Sequence, residues 1–368
     1  MIEAKKPHLD ISAASHPGMT GKQNEDRFQV SAFWVSPQKK VPSTLAVLCD
    51  GIGGHRAGEI AAQMGVSIIT ETILEGDTKN PLEIMGEAIR RASEAIYTAS
   101  QSDKGRTGMG ATCAIAWVIG DKLFTANLGD SRIYILRKGH LVQLTTDHTW
   151  VQEAYDAGLI KESERENHPN AHVIRRYLGA KSEPEPDFRL WYFEGESDED
   201  AQNNQGMRLI AGDTLILCSD GLTDLVEDSE IQSVIQEKPL NDAIDVLIQM
   251  ANARGGYDNT TVILMYVPSK GVFKKPRKRR LIIGCLIILI LLSAIVTAVF
   301  FGWRWWKHRL EVIEIQSETQ TIVSPTETEN FFQPETSFPV VSPTFTTETP
   351  TADITPQPSI TPWPTNTP

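Results

Sequence analysis

The sequence predicts an α+β fold in which two antiparallel β-sheets are covered by pairs of helices. Between residues 110 and 137, short apolar runs follow one another across tight turns, which is typical of consecutive hairpins in an antiparallel sheet. The predicted elements follow the order β-β-α-α-β-β-β-α-β-β-α-β. This order has too few β-α-β alternations for a doubly wound parallel sheet.

The first half of the predicted fold has two strands, two helices and three hairpin strands. Val, Phe and Leu mark strands at Asp26 to Ser36 and Thr44 to Asp50. Apolar residues recur at helical spacing in Ala57 to Leu74 and in Leu82 to Tyr97, which indicates two amphipathic helices. The hairpin strands are Gly110 to Ile119, Lys122 to Leu128 and Arg132 to Arg137.

The second half begins with an irregular segment, Asp147 to Ala180, in which Trp150 to Ala157 has a helical pattern. We expect this segment to form a mobile flap. Its histidines, among them His148, His168 and His172, are expected to be ordinary polar loop residues. The remaining elements are strands at Phe188 to Phe193 and Thr214 to Cys218, a helix from Leu240 to Ala253, and a last strand from Thr260 to Val267.

Residues 8–268 are predicted to form one domain, because roughly 260 residues lie at the upper end of what a single hydrophobic core supports. The net charge of -12 argues against a nucleic-acid-binding protein, since binding to phosphates needs a basic surface. The four cysteines lie in apolar runs without a Cys-x-x-Cys pair. This usage is typical of a reducing compartment, and it gives the cysteines no predicted chemistry.

A second signal lies C-terminal to the domain. The uncharged run from Leu281 to Trp303, about 23 residues, is long enough to cross a bilayer as a helix. The linker before it, residues 269–280, is more basic than the chain after it, which predicts a cytoplasmic N-terminal domain. Residues 304–368, rich in Thr and Pro, are predicted to be a disordered tail outside the membrane. The tail is either an extended, glycosylated stalk or an inert spacer.

Acidic residues stand at the polar ends of four apolar runs. A carboxylate at the end of a buried strand is costly unless a cation neutralises it, so one shared metal site accounts for all four. Oxygen ligands without His or Cys favour Mg²⁺ or Mn²⁺ over zinc. The four segments are Asn24-Glu25-Asp26, Asp50-Gly51, Ser219-Asp220-Gly221 and Tyr257-Asp258-Asn259.

Carboxylates around two hard cations, about 3.5 to 4 Å apart, suit the hydrolysis of phosphoesters. A water that bridges the two ions becomes hydroxide near neutral pH, so no nucleophilic side chain is needed. A single Asp-Gly is more often a surface turn than a metal site. The metal-site interpretation therefore depends on the co-occurrence of the four segments.

These segments belong to a longer, ordered series of motifs that resembles the bacterial form of the metal-dependent type 2C protein serine/threonine phosphatases, the PPM family. The motifs are NEDR at Asn24 to Arg27, VLCDGIGGHRAGE at Val47 to Glu59, GATCAIA at Gly110 to Ala116, ANLGDSRIY at Ala126 to Tyr134, LCSDGLTDLV at Leu217 to Val226 and YDNTTVI at Tyr257 to Ile263. The resemblance covers nearly the whole predicted domain. It implies an α-β-β-α sandwich.

The resemblance implies that the site holds two ions, Mn²⁺ or Mg²⁺. Asp50 would bridge both of them, and the carbonyl of Gly51 would bind the second. Asp220 and Asp258 would hold the first.

Four further carboxylates have implied roles. Glu25 and Asp26 would order metal-bound waters in the catalytic centre, and Glu25 is also a candidate for a direct ligand. Asp130 and Asp224 match positions that, together with Asp220, complete a weaker third metal site in bacterial members.

Two positions depart from the family pattern. Many relatives have an arginine that grips the substrate phosphate where this chain has Gly21, so the neighbouring Lys22 is the candidate for that role. Animal-type members have a histidine, proposed as a general acid, where this chain has Ile52. His55 follows three residues later and is a weaker candidate for the same role.

The implied function is metal-dependent hydrolysis of phosphoserine and phosphothreonine on proteins. The expected partners are phosphorylated proteins, among them a Ser/Thr kinase that the enzyme opposes, and the expected location is a bacterial cell membrane crossed once. Two alternatives stay open from the sequence. One is a phosphatase of a small phosphoester or of a regulator switch protein, and the other is a non-catalytic membrane scaffold.

Overall fold

The computed structural model describes residues 1–35, 41–52, 56–76, 78–165, 167–269, 292 and 294–307. The chain divides into two units, Met1–Lys278 and Arg279–Pro368. The strands of the first unit are β1 (Ile2–Glu3), β2 (Asp10–His16), β3 (Arg27–Trp34), β4 (Pro42–Cys49), β5 (Gly51–Ile52), β6 (Gly110–Ala111), β7 (Cys113–Ile119), β8 (Lys122–Leu128), β9 (Arg132–Arg137), β10 (His140–Gln143), β11 (Met207–Arg208), β12 (Thr214–Cys218) and β13 (Thr260–Tyr266). Its α-helices are α1 (Arg56–Glu75), α2 (Pro81–Ser102), α3 (Trp150–Asp156), α4 (Asp198–Asn203), α5 (Asp220–Thr223), α6 (Asp228–Glu237) and α7 (Leu240–Ala253).

These strands form two larger antiparallel sheets over the described residues. The first sheet has the order β1-β3-β4-β7-β8-β11 and the second the order β10-β9-β12-β13-β2. A short pairing of β5 with β6 lies beside them. The predicted α+β fold with two antiparallel sheets is therefore confirmed.

Successive residues of β4 face opposite sides of the first sheet, as the pleat of a strand requires. Leu45, Val47 and Cys49 pack in the core that also contains α1 and α2. Ala46 and Leu48 pack in the core between the two sheets. One run of apolar residues thus fills two cores at once.

The second sheet divides its side chains in the same way. Leu215 and Leu217 of β12 point into the core between the sheets. Ile216 and Cys218 pack with α6 and α7 on the other side. The layers are therefore helix, sheet, sheet and helix, in agreement with the predicted sandwich.

The predicted strand at Phe188 to Phe193 is wrong. Its backbone donors bond outside any β-ladder: the N–H of Leu190 donates to the carbonyl of Ala201 at 2.9 Å, and the N–H of Tyr192 donates to a carboxylate oxygen of Glu196 at 2.9 Å. Leu190 is buried and Phe193 is 66% exposed, so the apolar character of this segment does not mark a strand.

Eight elements of the described structure were not predicted: β1, β2, β5, β10, β11, α4, α5 and α6. The sequence of β2, DISAASH, lacks the bulky apolar residues that mark a strand, yet it pairs with β13 over its whole length. Its strand conformation comes from this long-range pairing and not from local preference.

The irregular segment, residues 147–180, is hereafter called the flap. Thr149 and Ile174 form a β-bridge that closes its base, and beside it the N–H of Trp150 donates to the carbonyl of Val173 at 2.8 Å. Helix α3 lies between these two paired positions, as the sequence predicts.

The C-terminal end of the flap is attached to the sheet edge near the predicted metal site. Leu178 and Ala111 exchange two backbone hydrogen bonds of 2.7 and 3.1 Å. Ala111 is also the partner of Gly51 in the β5-β6 pairing.

Of residues 279–368, the structure describes 292 and 294–307, which are helical. A search of all described residues finds no helix that is both long and apolar enough to cross a membrane. Most of the predicted span from Leu281 to Trp303 lies outside the described residues, as do residues 270–280 of the linker and 308–368 of the tail.

Candidate active site

Asp50 directly follows the last residue of β4, an inner strand of the first sheet. Its backbone is held from both sides by Thr112: the N–H of Asp50 donates to Thr112 Oγ1 at 2.9 Å, and the N–H of Thr112 donates to the carbonyl of Asp50 at 2.8 Å. Thr112 Oγ1 is also 2.8 Å from Ser131 Oγ, in the turn that carries Asp130. Two predicted metal-binding segments are thereby joined by one threonine.

Three segments approach one another so closely at Gly51 and Gly58 that neither position has room for a side chain. A Cβ on Gly51 would lie 2.4 Å from the backbone of Gly58, and a Cβ on Gly58 would overlap Glu25 Oε2. Only residues without a side chain let the turn after β4, the start of α1 and Glu25 come together here. The carbonyl of Gly51 and the carboxylate of Glu25 are therefore near neighbours, as the implied roles require.

Asp26 is 2% exposed, and the second sheet supplies its partners. Its Oδ2 accepts hydrogen bonds from Ser219 Oγ at 2.8 Å and from Thr261 Oγ1 at 2.6 Å. Ser219 directly follows β12, and Thr261 lies on β13. The two hydroxyls fix the orientation of the carboxylate across the two sheets.

Asp220 is the first residue of α5, directly after the strand β12 and Ser219. The following Gly221 packs so closely on the next segment that a Cβ there would lie 2.0 Å from the carbonyl oxygen of Asn259. This contact brings the Asp220 and Asp258 segments side by side.

Asn259 fastens the N-terminal loop to this side of the site. Its Oδ1 accepts from the N–H of Glu25 at 2.7 Å, and its Nδ2 donates to the carbonyl of Gln23 at 3.2 Å. The same loop places Lys22 Nζ at 3.8 Å from Asp258 Oδ2, with both side chains more than half exposed. Lys22 therefore lies at the rim of the site.

Asp130 is 6% exposed, and the position of its turn is set by His148. The N–H of His148 donates to the carbonyl of Gly129 at 2.9 Å, and its Nδ1 accepts from the N–H of Gly129 at 3.0 Å. Since Nδ1 accepts, Nε2 carries the proton and donates to Asp187 Oδ2 at 3.3 Å. The expectation that His148 is an ordinary polar loop residue is therefore wrong.

The acidic side chains shift one another's ionisation. Burial raises the pKa of Asp50 and of Asp220 well above the usual range of an aspartate. The charge of Asp26 adds to this effect at Asp50, and the charge of Asp130 adds to it at Asp220. Asp258 acts on both as a further negative neighbour, so the predicted ligands are brought within electrostatic reach of one another.

The same burial acts on the two most enclosed carboxylates. It raises the pKa of Asp26 to about 7, although the hydrogen bonds from Thr261 and Ser219 lower it. Burial also raises the pKa of Asp130 to about 7, and the charge of Asp147 adds to the shift. Without a counter-charge, these groups would be partly protonated near neutral pH.

Three of these carboxylates have a buried oxygen with no hydrogen-bond partner in the described part of the chain. The atoms are Oδ1 of Asp26, Oδ1 of Asp130 and Oδ1 of Asp220. A buried, unpaired carboxylate oxygen is costly, and a bound cation or its water shell would satisfy it. The residues present therefore fit a divalent metal centre of hard oxygen ligands.

His172, at the base of the flap, lies against Asp224. Its Nδ1 is 3.3 Å from Asp224 Oδ2, a contact that the sequence did not indicate. The side chain of Asp224 is 41% exposed, yet burial is still the largest cause of its raised pKa. The sequence could not predict this contact, because His172 and Asp224 are far apart in the chain and meet only where the flap packs against the domain.

The sequence also missed the groups that orient the acidic residues. Thr112, Ser219 and Thr261 hold Asp50 and Asp26 through hydroxyl groups and backbone. The first two lie inside the quoted motifs GATCAIA and LCSDGLTDLV, and the third lies in YDNTTVI, so the motifs marked their positions without revealing their contacts.

The structure adds nothing on the general acid. The side chain of Ile52 has no group that could donate a proton, and His55 lies outside the described residues.

Comparison with known proteins places this fold and site in one class, the protein phosphatases. A family model described as protein phosphatase 2C matches residues 15–262. Protein phosphatase PhpP of Streptococcus pneumoniae is 35% identical over 261 residues, which cover 70% of this chain and 97% of the relative. The chain therefore belongs to the protein phosphatase 2C family, and it is a protein serine/threonine phosphatase.

Two solved structures agree. The serine/threonine phosphatase of S. agalactiae has a TM-score of 0.61 and 35% identity, covering 70% of this chain and 99% of that one. The catalytic domain of PstP, a phosphatase of Mycobacterium tuberculosis, was solved in complex with two manganese ions. Its TM-score is 0.56 and its identity 31%, covering 70% of this chain and 97% of that one.

With metal ions removed, we expect the free energy of unfolding to fall as the pH rises from about 4 to about 7. The folded-state pKa values of Asp26 and Asp130 are about 7 and exceed the ordinary value of an aspartate, so ionisation favours the unfolded state. For Asp26 alone this amounts to about 4 kcal/mol at most. Thermal unfolding in EDTA across this pH range measures the effect.

The variant Asp26→Asn should flatten this pH dependence, because the amide does not titrate. Asp245→Asn, at an exposed position of α7, is the matched control and should leave it unchanged. An Asp26→Asn protein with the wild-type pH dependence would contradict the assignment.

Proposed function

We propose that the chain hydrolyses phosphoserine and phosphothreonine on proteins with two divalent ions, Mn²⁺ or Mg²⁺, as cofactors. The observation that carries this proposal is the set of buried carboxylate oxygens that have no hydrogen-bond partner among the described residues. These oxygens lie where strands of the two sheets end. Family membership supports the reaction class. The manganese complex of PstP supports the choice of cofactor.

In this proposal Asp50 and the carbonyl of Gly51 hold the ions from the first sheet, and Asp220 and Asp258 hold them from the second. When bound, the ions lower the pKa of water and neutralise negative charge on the phosphoryl group. A third ion, held by Asp130, Asp220 and Asp224, is part of the same proposal.

The chain's own residues prepare the site for this chemistry. Thr112 fixes the backbone of Asp50, so its carboxylate does not have to be ordered when substrate binds. Ser219 and Thr261 occupy Oδ2 of Asp26 and leave Oδ1 as an acceptor for water in the centre. Glu25 supplies a second carboxylate for that purpose, next to Gly51.

The variant Asp50→Asn should lose at least about 100-fold in the rate of phosphate release from a phosphothreonine peptide. The amide keeps the shape of the side chain but removes the charge that both ions need, and even groups that only orient metal ligands are worth 10–100-fold. Steady-state release of phosphate by the full-length protein in Mn²⁺ measures this rate.

The control is Asp245→Asn, which should keep wild-type turnover, and EDTA should abolish turnover of the wild type. Turnover by Asp50→Asn, or turnover that survives EDTA, would refute the metal mechanism. A protein that hydrolyses p-nitrophenyl phosphate but no phosphopeptide would support the small-ester alternative. The absence of any turnover would support a scaffold.

We also propose that Lys22 assists in binding the substrate phosphate. Its Nζ lies 3.8 Å from Asp258 Oδ2 at the rim of the site, and the neighbouring Gly21 carries no side chain that competes for that place. A lysine presents a point charge and not the planar fork of an arginine. We therefore infer that its contribution is to binding affinity more than to catalytic rate.

The variant Lys22→Ala should raise KM for a phosphothreonine peptide about fivefold with little change in kcat, because an exposed ion pair is worth at most about 1 kcal/mol. Lys22→Arg should keep the wild-type KM, and Lys238→Ala, in the short connection between α6 and α7, is the control. If Lys22→Ala leaves KM unchanged, Lys22 does not contact the phosphate.

We further propose that residues 281–303 anchor the protein in a bacterial cell membrane, with the phosphatase domain in the cytoplasm and residues 304–368 outside. The length and apolarity of the run and its basic N-terminal flank support this proposal. In the described helical part, Val296, Phe300 and Phe301 are each more than half exposed, as lipid-facing residues would be. Anchoring would concentrate the enzyme near membrane Ser/Thr kinases and their substrates, which it would oppose.

The full-length chain should sediment with membranes and resist a carbonate wash when produced in bacteria. Deletion of residues 281–303 should move the protein to the supernatant, whereas deletion of residues 317–368 should not. A reporter that needs export for activity should be active at the C-terminus and inactive at the N-terminus. Recovery of the full-length chain in the supernatant would exclude the anchor.

A further inference from the structure

The base of the flap carries a nitrogen ligand beside two carboxylates of the active site. In the described ranges, His172, Asp220 and Asp224 are the one group of three or more His, Cys, Asp and Glu side chains whose ligand atoms all lie within 4.8 Å of one another. The ligand set predicted from the sequence contains oxygen atoms alone. The imidazole of His172 therefore changes the kind of ion that this part of the site would select.

The two carboxylates form a fixed pair on one short helix. The N–H of Asp224 donates to the carbonyl of Asp220 at 2.8 Å, and residues four apart on a helix are neighbours on one face. Oδ1 of Asp220 is buried and has no partner among the residues that the structure describes. Two adjacent carboxylates, one with an unsatisfied buried oxygen, call for a cation between them.

The backbone of the flap determines where His172 lies. The next two residues are held at the closed base: the carbonyl of Val173 accepts from Trp150, and Ile174 is bridged to Thr149. His172 is thus held near the body of the domain, while its side chain remains 71% exposed and open to an ion from solvent.

We propose that His172 is a further ligand, donated by the flap, of the third ion assigned above to Asp130, Asp220 and Asp224, and that its imidazole makes this site bind a divalent transition-metal ion in preference to Mg²⁺. This inference rests on the proposed function in so far as Asp220 is a ligand of the active-site ions. Mg²⁺ takes oxygen ligands almost exclusively, whereas an imidazole nitrogen binds the transition metals. A coordinate bond to His172 fastens the base of the flap to α5, so metal occupancy and flap position are coupled.

The decisive measurement is pulsed electron paramagnetic resonance of the full-length protein loaded with Mn²⁺. A directly bound imidazole gives a nitrogen hyperfine coupling to the manganese, and this signal does not depend on turnover. We expect the coupling in the wild type and its loss in His172→Ala. His168→Ala, at a flap histidine whose ring stacks on Trp150 at 4.6 Å, should keep it.

The variant His172→Asp provides a further control, because it restores a ligand with oxygen in place of nitrogen. It should bind Mn²⁺ without nitrogen coupling and should bind Mg²⁺ more tightly than the wild type. In calorimetric titrations, His172→Ala should weaken the affinity for one Mn²⁺ ion by about tenfold or more. Equal thermal unfolding temperatures in EDTA confirm that these variants are folded.

A wild type without nitrogen coupling, or a coupling that persists in His172→Ala, would overturn the proposal and leave an ordinary His172–Asp224 ion pair. This result is distinct from a failure of the proposed function. Turnover tests the function through Asp50→Asn, whereas the nitrogen signal reports on His172 whether or not the protein turns over a phosphopeptide.

Discussion

The mutual repulsion of buried carboxylates is the constraint on which this structure depends. Burial raises the pKa of Asp50 and of Asp220, and the charges of Asp26 and Asp130 add to the shift at both. Such a cluster costs stability unless cations offset its charge. The sandwich tolerates it because the surrounding layers are held by three apolar cores that do not involve these residues.

The architecture explains why the acidic residues can be so distant in sequence and so close in space. Strands β4 and β12 belong to different sheets, and each ends where an aspartate follows. Hydroxyl groups then join the two sheet ends: Ser219 and Thr261 from the second sheet bind Asp26, which precedes β3 of the first. The orientation of the ligands is therefore a property of how the sheets pack, and any shift between the sheets would change the site.

The sequence predicted most of this arrangement because the relevant signals are local. The apolar run of β4, helical spacing in α1 and the acidic residues after each strand can all be read from short windows. The strand β2 could not be predicted, because its small and polar residues become a strand only by pairing with β13. The contacts of His148 and His172 were missed for a related reason, since both depend on where the flap packs and no spacing in the sequence encodes that packing.

The bridge between Thr149 and Ile174 has a consequence for how such a protein can diverge. Both ends of the segment between these two positions lie at the same place on the domain, so insertions, deletions and exchanges within it that spare His172 can leave the two sheet ends undisturbed. Sequence changes can therefore reshape the surface beside the site while the acidic residues at the sheet ends stay in place. The sequence of the flap and the sequence of the metal site can therefore change independently of each other.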